Sequence, residues 1–397
     1  MIFKNTKNTR SSNIQKIMPT KNILIINSTP GVPEPMDLFK ELASDNYAFN
    51  FMTGSRQFLQ AVSEGAWMTK KPAIFPRAAN GLFSSVAFLL LWPFYFFIFL
   101  FFLFFRKRRN NIRAVVCYSW PEKIIVTPAA ALLRLKIFWI ELPGELNLKS
   151  RFSRWLFRAC SRFARLVVFS GLTKNELAAV GIKKSLIFSV APGLKIDGSG
   201  EQDNIFDQLA ETEHKKTKRK FFTVGTVLDL NEKKRLETLL QAVRRCLTVI
   251  PNLQLIVIGD GKERKASGWL AKKMGIDGLV WFVGEQKRLQ KWFDNFDVFV
   301  SASDYLKFSD IRTVLRASAA GLPVIGPSGI GLEDFIDSRS GALFNETDDS
   351  EPLAQSIIRL YKDRSLRSCL GQAGRERVVK DFSLKAMAER FDEAINK

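Results

Sequence analysis

The sequence predicts an α/β protein built from two doubly wound domains that face a central cleft. The chain has 397 residues, more than one hydrophobic core usually serves. Short, continuous apolar runs also alternate with helical patterns in two successive series, which is typical of parallel sheets covered on both faces. Ligands of such sheets bind outside the carboxyl ends of the strands.

The composition favours an anionic partner and excludes several kinds of site. Sixty Lys and Arg residues against 39 Asp and Glu residues leave a formal charge of +21, which suits phosphorylated ligands, anionic lipid or nucleic acid. The four cysteines form no CxxC pair, so we expect a reducing compartment and neither a disulfide framework nor a zinc site. The single histidine, His214, lies inside a Lys-rich stretch, which argues against a Ser-His-Asp triad and a multi-His metal site. We therefore expect no metal and no cofactor.

After a polar tail at residues 1–20, the first domain is predicted over residues 21–196. Apolar runs bounded by turn residues indicate its strands, and amphipathic stretches indicate its helices. The predicted strands are Asn22–Asn27, Ala114–Tyr118, Ile137–Glu141, Leu166–Ser170 and Leu186–Val190. The predicted helices are Glu122–Leu135, Lys149–Arg165 and Thr173–Val180, with Thr173 as the N-cap of the last.

The apolar segment Val86–Phe105 stands out within this domain. Its twenty uncharged, Phe-rich residues are long enough to cross a bilayer, and the basic run Arg106–Arg109 follows at once. The strands predicted before and after this segment can belong to one sheet, however, and a single crossing would place them on opposite sides of the membrane. Pro93 would also kink a helix. We favour a bent helix or hairpin that dips into one leaflet and returns. A true span and a buried core helix are the alternatives.

The helix predicted at Lys149–Arg165 carries a second surface signal. Five arginines recur at spacings of three and four without an acidic neighbour, and aromatic residues fall on the opposite side. This pattern favours a helix at an anionic membrane surface. The alternative is an ordinary amphipathic helix whose aromatic side faces the core.

A linker is predicted at residues 197–220, because this stretch is polar and charged. A nucleic-acid-binding tail is the alternative, but the stretch lacks interleaved aromatic residues, so we do not expect nucleic acid as a partner. The second domain follows at residues 221–382, with a C-terminal helix at 383–397. Its predicted strands are Phe221–Val224, Leu253–Ile258, Val280–Val283, Val298–Ser301 and Pro323–Ile325. Its predicted helices are Lys234–Val249, Glu263–Met274, Ser309–Ala320, Glu351–Lys362 and Ser383–Asn396.

Several motifs in the second domain occur together in a characteristic order. They are the strand Val224-Gly225-Thr226 with the helix that follows it, the turn Ile258-Gly259-Asp260-Gly261, the strand end Phe282-Val283-Gly284, and the run Ala317-Ser318-Ala319-Ala320-Gly321-Leu322-Pro323-Val324-Ile325. In this order they resemble the retaining GT-B glycosyltransferases of family four, whose two domains are Rossmann-like. The resemblance implies a nucleotide-sugar donor, with Gly225, Thr226, Gly284 and Glu285 near it.

The departing diphosphate of such a donor gains negative charge, which cations and a helix N-terminus can stabilise. The family uses a Gly-Arg pair and a Lys several residues later. Lys234 matches that Lys, with Lys233 adjacent, whereas Thr226 occupies the Arg position. We expect Lys233 and Lys234 to form an anion site. A solvated Lys at a helix start is the alternative for Lys234.

The family's paired glutamates, eight positions apart, are missing from this chain. Their positions fall on Phe308 and Arg316, and the nearest acid is Asp310. We expect Ser309 to cap a helix that points into the cleft. The helix would present Arg312 and Arg316, which can bind phosphate but cannot serve as a base.

Two positions in the first domain complete the candidate site. Where the family often has a histidine that faces the donor's reacting carbon, this chain has Glu141 and, four residues later, Glu145. Either could be the polar partner, and a strand-end acid in a turn is the alternative. Gly31 lies in the loop after the first strand and suits a tight turn close to a ligand.

The sequence therefore predicts a metal-independent, retaining hexosyltransferase with Lys234, Asp310 and Glu141 as candidate catalytic residues. The expected partners are a nucleotide-sugar, a lipid-linked or cell-envelope glycan acceptor and an anionic membrane surface. We expect the protein at the cytoplasmic face of the membrane. A catalytically silent scaffold subunit and a polyanion-binding protein are the alternatives, the first because the carboxylate pair is missing.

Overall fold

The computed structural model describes residues 21–27, 36–44, 47–53, 70–72, 82–146, 151–195, 221–231, 234–303, 305–345 and 349–396. The backbone alone is described at residues 40, 44, 53, 70–72, 82–90, 234 and 235. The predicted tail and linker lie outside the described residues.

The N-terminal domain is built on a sheet of seven parallel strands in the order β3-β2-β1-β4-β5-β6-β7. The strands are β1 Lys21–Asn27, β2 Tyr47–Thr53, β3 Lys70–Pro72, β4 Ile112–Cys117, β5 Lys136–Glu141, β6 Arg165–Val168 and β7 Ile187–Ser189. Strands β2 and β3 lie on one side of β1, and β4 to β7 lie on the other, so the strand order reverses between the hydrogen-bonded neighbours β1 and β4. Such a reversal opens a crevice at the carboxyl ends of the strands.

Helices cover both faces of this sheet. They are α1 Met36–Ser44, α2 Leu82–Asn110, α3 Trp120–Leu132, α4 Arg151–Ser161 and α5 Gly171–Ala179, followed by a 3₁₀ turn at Lys184–Leu186. One apolar cluster joins α2, α3 and α4 to side chains such as Ile26 and Trp139. A second cluster joins α1 to the opposite face, where Phe39 contacts Phe49.

The apolar segment forms one continuous helix, α2, with Pro93 inside it. Of the two forms favoured from the sequence, the hairpin is therefore not formed, and the bent helix that enters one leaflet stays a prediction. Phe99 and Leu103 on one side of α2 are buried in the domain core. No helix in the described parts of the chain combines the length and hydropathy of a bilayer span.

Two local predictions in this domain need correction. Ser170, not Thr173, caps α5, because its hydroxyl accepts a hydrogen bond from Thr173 N at 3.2 Å. The alternative for α4, with its aromatic side in the core, is wrong: Phe152 and Trp155 are exposed, and Phe157 is buried instead.

The C-terminal domain has six parallel strands in the order β10-β9-β8-β11-β12-β13. The strands are β8 Phe222–Val227, β9 Leu253–Ile258, β10 Val280–Gly284, β11 Val298–Val300, β12 Val324–Pro327 and β13 Gly341–Phe344. Burial of their Val, Leu and Ile side chains against helices on both faces forms the core of this domain.

The helices of this half include one that returns to the N-terminal domain. They are α6 Lys234–Cys246, α7 Arg264–Lys273, α8 Gln290–Phe293, α9 Phe308–Ala319, α10 Glu351–Lys362, α11 Arg364–Asp381 and α12 Leu384–Asn396. Helix α12 packs on α1, where Phe391 meets Phe39 edge-to-face. The last helix therefore ties the two domains together.

Candidate functional site

The loops at the carboxyl ends of the two sheets contact each other directly. Tyr305 Oη, after β11, donates to Glu176 Oε2 of α5 at 3.1 Å. The backbone N–H of Gly171 donates to Asp334 Oδ2 at 2.6 Å. These contacts cross from one domain to the other at the edge where α/β sheets bind ligands, so they mark the candidate site.

The position of the family's first glutamate is filled by an aromatic contact between the domains. Phe308, the first residue of α9, is buried, and its ring lies 4.9 Å from that of Phe169 in an edge-to-face arrangement. Phe169 follows β6 of the N-terminal domain. An apolar, closed contact therefore stands where a donor sugar would meet a carboxylate in the family.

The start of α9 also differs from the expectation. The helix begins at Phe308 with Lys307 as the N-cap residue, so Ser309 lies inside the first turn and is not the cap. Asp310 Oδ2 accepts a hydrogen bond from Lys307 N at 3.1 Å, which occupies part of its carboxylate. Lys307 Nζ lies 3.6 Å from Asp229 Oδ2, in the loop that follows β8. Asp310 thus serves the helix terminus.

Arg312 is directed at the N-terminal domain. Its Nη2 donates to Asp37 Oδ2 of α1 at 2.8 Å, and its Nε is buried. Arg316, one turn further along α9, is half-buried. The first arginine of α9 therefore joins the two domains through an ion pair, and phosphate binding by Arg312 and Arg316 stays a prediction.

Glu141 is held by a buried ion pair. It ends β5 at 5% exposure, and its Oε1 lies 2.9 Å from Nζ of the buried Lys123 in the first turn of α3. Lys123 Nζ also donates to Ile140 O at 2.7 Å. Burial raises the Glu141 pKa above its usual range, while the Lys123 charge opposes that rise. Glu141 is therefore placed to orient the strand end rather than to exchange protons with solvent.

Gly225 and Thr226 lie inside β8 and serve its packing. A Cβ at position 225 would overlap the ring of Phe296. The Thr226 hydroxyl is fully buried and donates to Val300 O on β11 at 2.8 Å. A threonine that bonds to the neighbouring strand stands where the family has a diphosphate-binding arginine.

The turn Gly259-Asp260-Gly261 positions the loop that leads to α6. Gly259 has a φ of +129°, and a Cβ there would overlap Leu228 O. Leu228 N donates to Ile258 O at 2.9 Å, and Leu230 N donates to Asp260 O at 3.1 Å. The glycines therefore allow close backbone contact, which fixes the approach to the N-terminus of α6.

A surface depression of ≈ 650 Å³ lies beside this turn. It is lined by Asp260, Gly261, Lys262, Arg264, Lys265 and Phe282. Arg264 bridges Asp260 Oδ2 at 3.0 Å and Phe282 O at 2.9 Å. Gly284 ends the adjacent strand with a φ of +76°, and Glu285 is exposed next to it. Phe282, near the end of β10, thus lines a basic depression, whereas Gly284 and Glu285 are not among its lining residues.

The remaining predicted residues are described in part or not at all. Lys234 is the first residue of α6, and its side chain lies outside the described residues. Lys233 and Gly31 also lie outside them. The structure gives the position of the α6 N-terminus but no contacts of these side chains.

The sequence did not single out Asp37, Glu176 or Tyr305. Each contacts the opposite domain, and such contacts have no signature in local spacing. An acid in the first turn of a helix, as Asp37 is, is expected from the helix dipole alone. Only its contact with Arg312 of the other domain shows that Asp37 lies at the site.

Comparison with known proteins identifies the C-terminal half. Residues 218–363 match the family described as Glycosyl transferases group 1. The lipopolysaccharide core biosynthesis glycosyltransferase LpsE of Rhizobium meliloti is 31% identical over 160 residues, 40% of this chain and 45% of that protein. The capsular polysaccharide biosynthesis glycosyltransferase CapM of Staphylococcus aureus is 24% identical over 58% of each chain. The chain thus spans about half the length of these relatives.

Solved structures extend the likeness to nearly the whole fold. A glycosyltransferase from Rickettsia africae superposes with a TM-score of 0.75 at 14% identity, over 94% of this chain and 97% of the other. HepE of Anabaena, solved with UDP, superposes with a TM-score of 0.73 at 14% identity, over 95% and 99%. Residues 218–363 therefore match the group 1 glycosyl transferases, within a chain that has the two-domain GT-B fold.

Proposed function

We propose that this protein transfers a hexose from a nucleotide-sugar to a lipid-linked or glycan acceptor of the cell envelope. The match over residues 218–363 supports glycosyl transfer. Relatives named for lipopolysaccharide core and capsular polysaccharide biosynthesis support the class of acceptor, and a structural neighbour solved with UDP supports the class of donor. We further propose a retaining, metal-independent reaction.

The observation that carries the proposal is the N-terminus of α6 at the carboxyl end of β8. Helix α6 begins at Lys234, within the basic run Lys233-Lys234-Arg235. A leaving diphosphate gains negative charge, and a helix N-terminus with adjacent cations stabilises it without reorganisation. The turn at Gly259 holds the preceding loop in place. Lys234 would therefore stabilise the leaving group.

We propose the cytoplasmic face of the membrane as the location of the protein. The four cysteines are free, which suits a reducing compartment. A phosphorylated donor also suits the net charge of +21.

A scaffold without catalytic activity is the second candidate. The contact between Phe169 and Phe308 favours it, because an aromatic ring replaces the family's carboxylate and closes the space around it. In addition, Asp310 and Glu141 are both engaged in structural contacts. A scaffold could bind a nucleotide-sugar and transfer nothing.

Donor binding and turnover separate the two candidates. The chain would be titrated with UDP-, GDP- and ADP-sugars, and a ligand at a hundredfold excess over its Kd should stabilise it by about 2.7 kcal/mol. Lys234→Ala should abolish this shift and turnover, whereas the control Lys380→Ala, an exposed lysine of α11, should retain both. A shift without transfer to envelope acceptors would support the scaffold. Absence of a shift with every donor would contradict nucleotide-sugar binding.

A further inference from the structure

Helix α2 presents an exposed aromatic face on the N-terminal domain. Phe94, Phe97 and Phe101 are 64%, 64% and 67% exposed. On the other side of the helix, Phe99 and Leu103 are buried in the core. Exposed aromatic side chains in this number are unusual on a soluble surface and mark an interaction site.

Helix α4 adds a second aromatic area. Phe152 and Trp155 are exposed, and their rings stack with centroids 6.1 Å apart. Phe163, just beyond the helix, is exposed as well. Trp and Phe side chains of this kind are favoured at the boundary between lipid headgroups and acyl chains.

The two aromatic areas lie on the same side of the domain. Helices α2 and α4 both pack on α3, and side chains from all three helices join one core cluster on one face of the sheet. Helix α3 is buried along most of its length. Its neighbours α2 and α4 lie beside it on this face of the sheet. We call the exposed residues of 91–109 and 151–163 the aromatic–basic surface.

Positive charge surrounds these aromatic residues. Neither helix contains an acidic residue, and the basic ones are Arg106, Lys107, Arg108, Arg109, Arg151, Arg154 and Arg158, with Arg162 following. The Arg108 guanidinium lies 4.8 Å from the Phe104 ring centroid. A basic residue close to an anionic leaflet contributes about 1 kcal/mol, so the charge selects anionic lipid.

The fold requires α2 to lie along the membrane rather than cross it. The strands β1 and β4, which precede and follow α2 in the chain, are paired in one sheet. Phe99 and Leu103 bind the helix to that domain along one side. A second copy of the chain does not suit this surface, because face-to-face contact would bring two basic clusters together on chains of +21 each.

We propose that the aromatic–basic surface binds an anionic phospholipid leaflet, with its aromatic side chains inserted and its arginines at the headgroups. This interaction does not depend on the proposed transfer reaction. It would hold the protein at the bilayer by one face of the N-terminal domain.

Vesicle flotation tests the proposal directly. The full chain should float with phosphatidylcholine vesicles that contain phosphatidylglycerol and should not float with phosphatidylcholine alone. The triple variant Phe94→Ser, Phe97→Ser, Phe101→Ser should weaken binding at least about tenfold, which is about 1.4 kcal/mol. The control Trp269→Ser, Trp281→Ser removes two exposed aromatic residues of the C-terminal domain and should bind as the wild type does.

A charge variant separates lipid from other occupants. Arg151→Gln, Arg154→Gln should weaken binding to the anionic vesicles, and salt at about 0.5 M should do the same for the wild type, because it screens charges beyond a few Å. All variants change exposed side chains, so their melting temperatures should match the wild type. Equal flotation of the Phe variant and the wild type would overturn the proposal. So would a wild type that fails to float and instead dimerises through this surface in sedimentation equilibrium.

Discussion

At the scale of single residues, glycine decides how closely the C-terminal domain can pack. Gly225 lies in β8 with the Phe296 ring against its Cα, and Gly259 allows the loop after β8 to contact the turn after β9. Both glycines occur within family motifs, yet their described contacts are with the protein itself. A motif residue can thus support a site without touching the ligand.

Gly225→Ala should therefore destabilise the chain. Its Cβ would overlap Phe296, and overpacking of a core typically costs about 1–3 kcal/mol. The matched control is Gly268→Ala in α7, where nothing lies within 4 Å of the added Cβ. It should be neutral or stabilising by up to about 1 kcal/mol, since alanine favours a helix. Urea unfolding of both variants measures the difference, and equal stability would contradict the packing argument.

At the scale of elements, the pair Lys123–Glu141 fastens α3 to the carboxyl end of β5. Both side chains are buried, so each charge depends on the other. Removal of one partner from a buried ion pair leaves an uncompensated charge and typically costs about 3–5 kcal/mol. We expect that loss for Lys123→Met, measured by denaturant unfolding, and a partial recovery in Lys123→Met/Glu141→Gln. A double variant less stable than the single one would contradict this account.

The loss of stability in Lys123→Met should depend on pH in a defined direction. Burial raises the Glu141 pKa in the folded state above its usual value of 4.5, and loss of the Lys123 charge should raise it further. A raised pKa means that the folded state binds the proton of Glu141 more tightly than the unfolded state does. The stability that this protonation contributes is complete below about pH 4.5 and is lost as pH rises through the folded-state pKa. The stability difference between wild type and Lys123→Met should therefore shrink as pH falls towards 4.5. A difference that is constant from pH 4.5 to 8 would contradict the assignment.

At the scale of the whole molecule, a few contacts join the two domains across the cleft. Arg312 binds Asp37, Tyr305 binds Glu176, and Phe308 packs on Phe169. The first is partly exposed, and exposed ion pairs contribute only about 0.2–1 kcal/mol each. The polar contacts across the cleft are therefore weak, and binding of a ligand there could outweigh them, whereas the Phe308–Phe169 contact is buried.

The double variant Asp37→Asn/Tyr305→Phe should shift the free protein towards an open arrangement. It weakens the Arg312 ion pair and removes the hydrogen bond to Glu176, while each domain keeps its own core. Small-angle X-ray scattering should show an increased radius of gyration. Asp349→Asn is the control, because it alters a surface ion pair with Arg245 inside the C-terminal domain. Identical scattering from the double variant and the wild type would show that these contacts do not hold the domains together.

The sequence by itself determined the two-sheet fold class and most central strands, because continuous Val, Leu and Ile runs such as Leu255–Ile258 can be satisfied only by burial on both faces. It missed the short elements α1, β2, β3, α8 and β13, and also the 18-residue helix α11, whose sequence is mostly polar. It also located the α6 start at Lys234. The spacing of apolar residues within a short stretch of sequence is enough to show which side chains of a strand or helix must be buried.

Only the tertiary structure decided what fills the cleft. The pairing of Phe308 with Phe169, of Arg312 with Asp37 and of Glu141 with Lys123 joins residues 139, 275 and 18 positions apart in the numbering. The outward direction of Trp155 likewise depends on where α3 and the sheet lie. Contacts between distant segments depend on how elements pack, and packing is not encoded in the spacing of neighbouring residues.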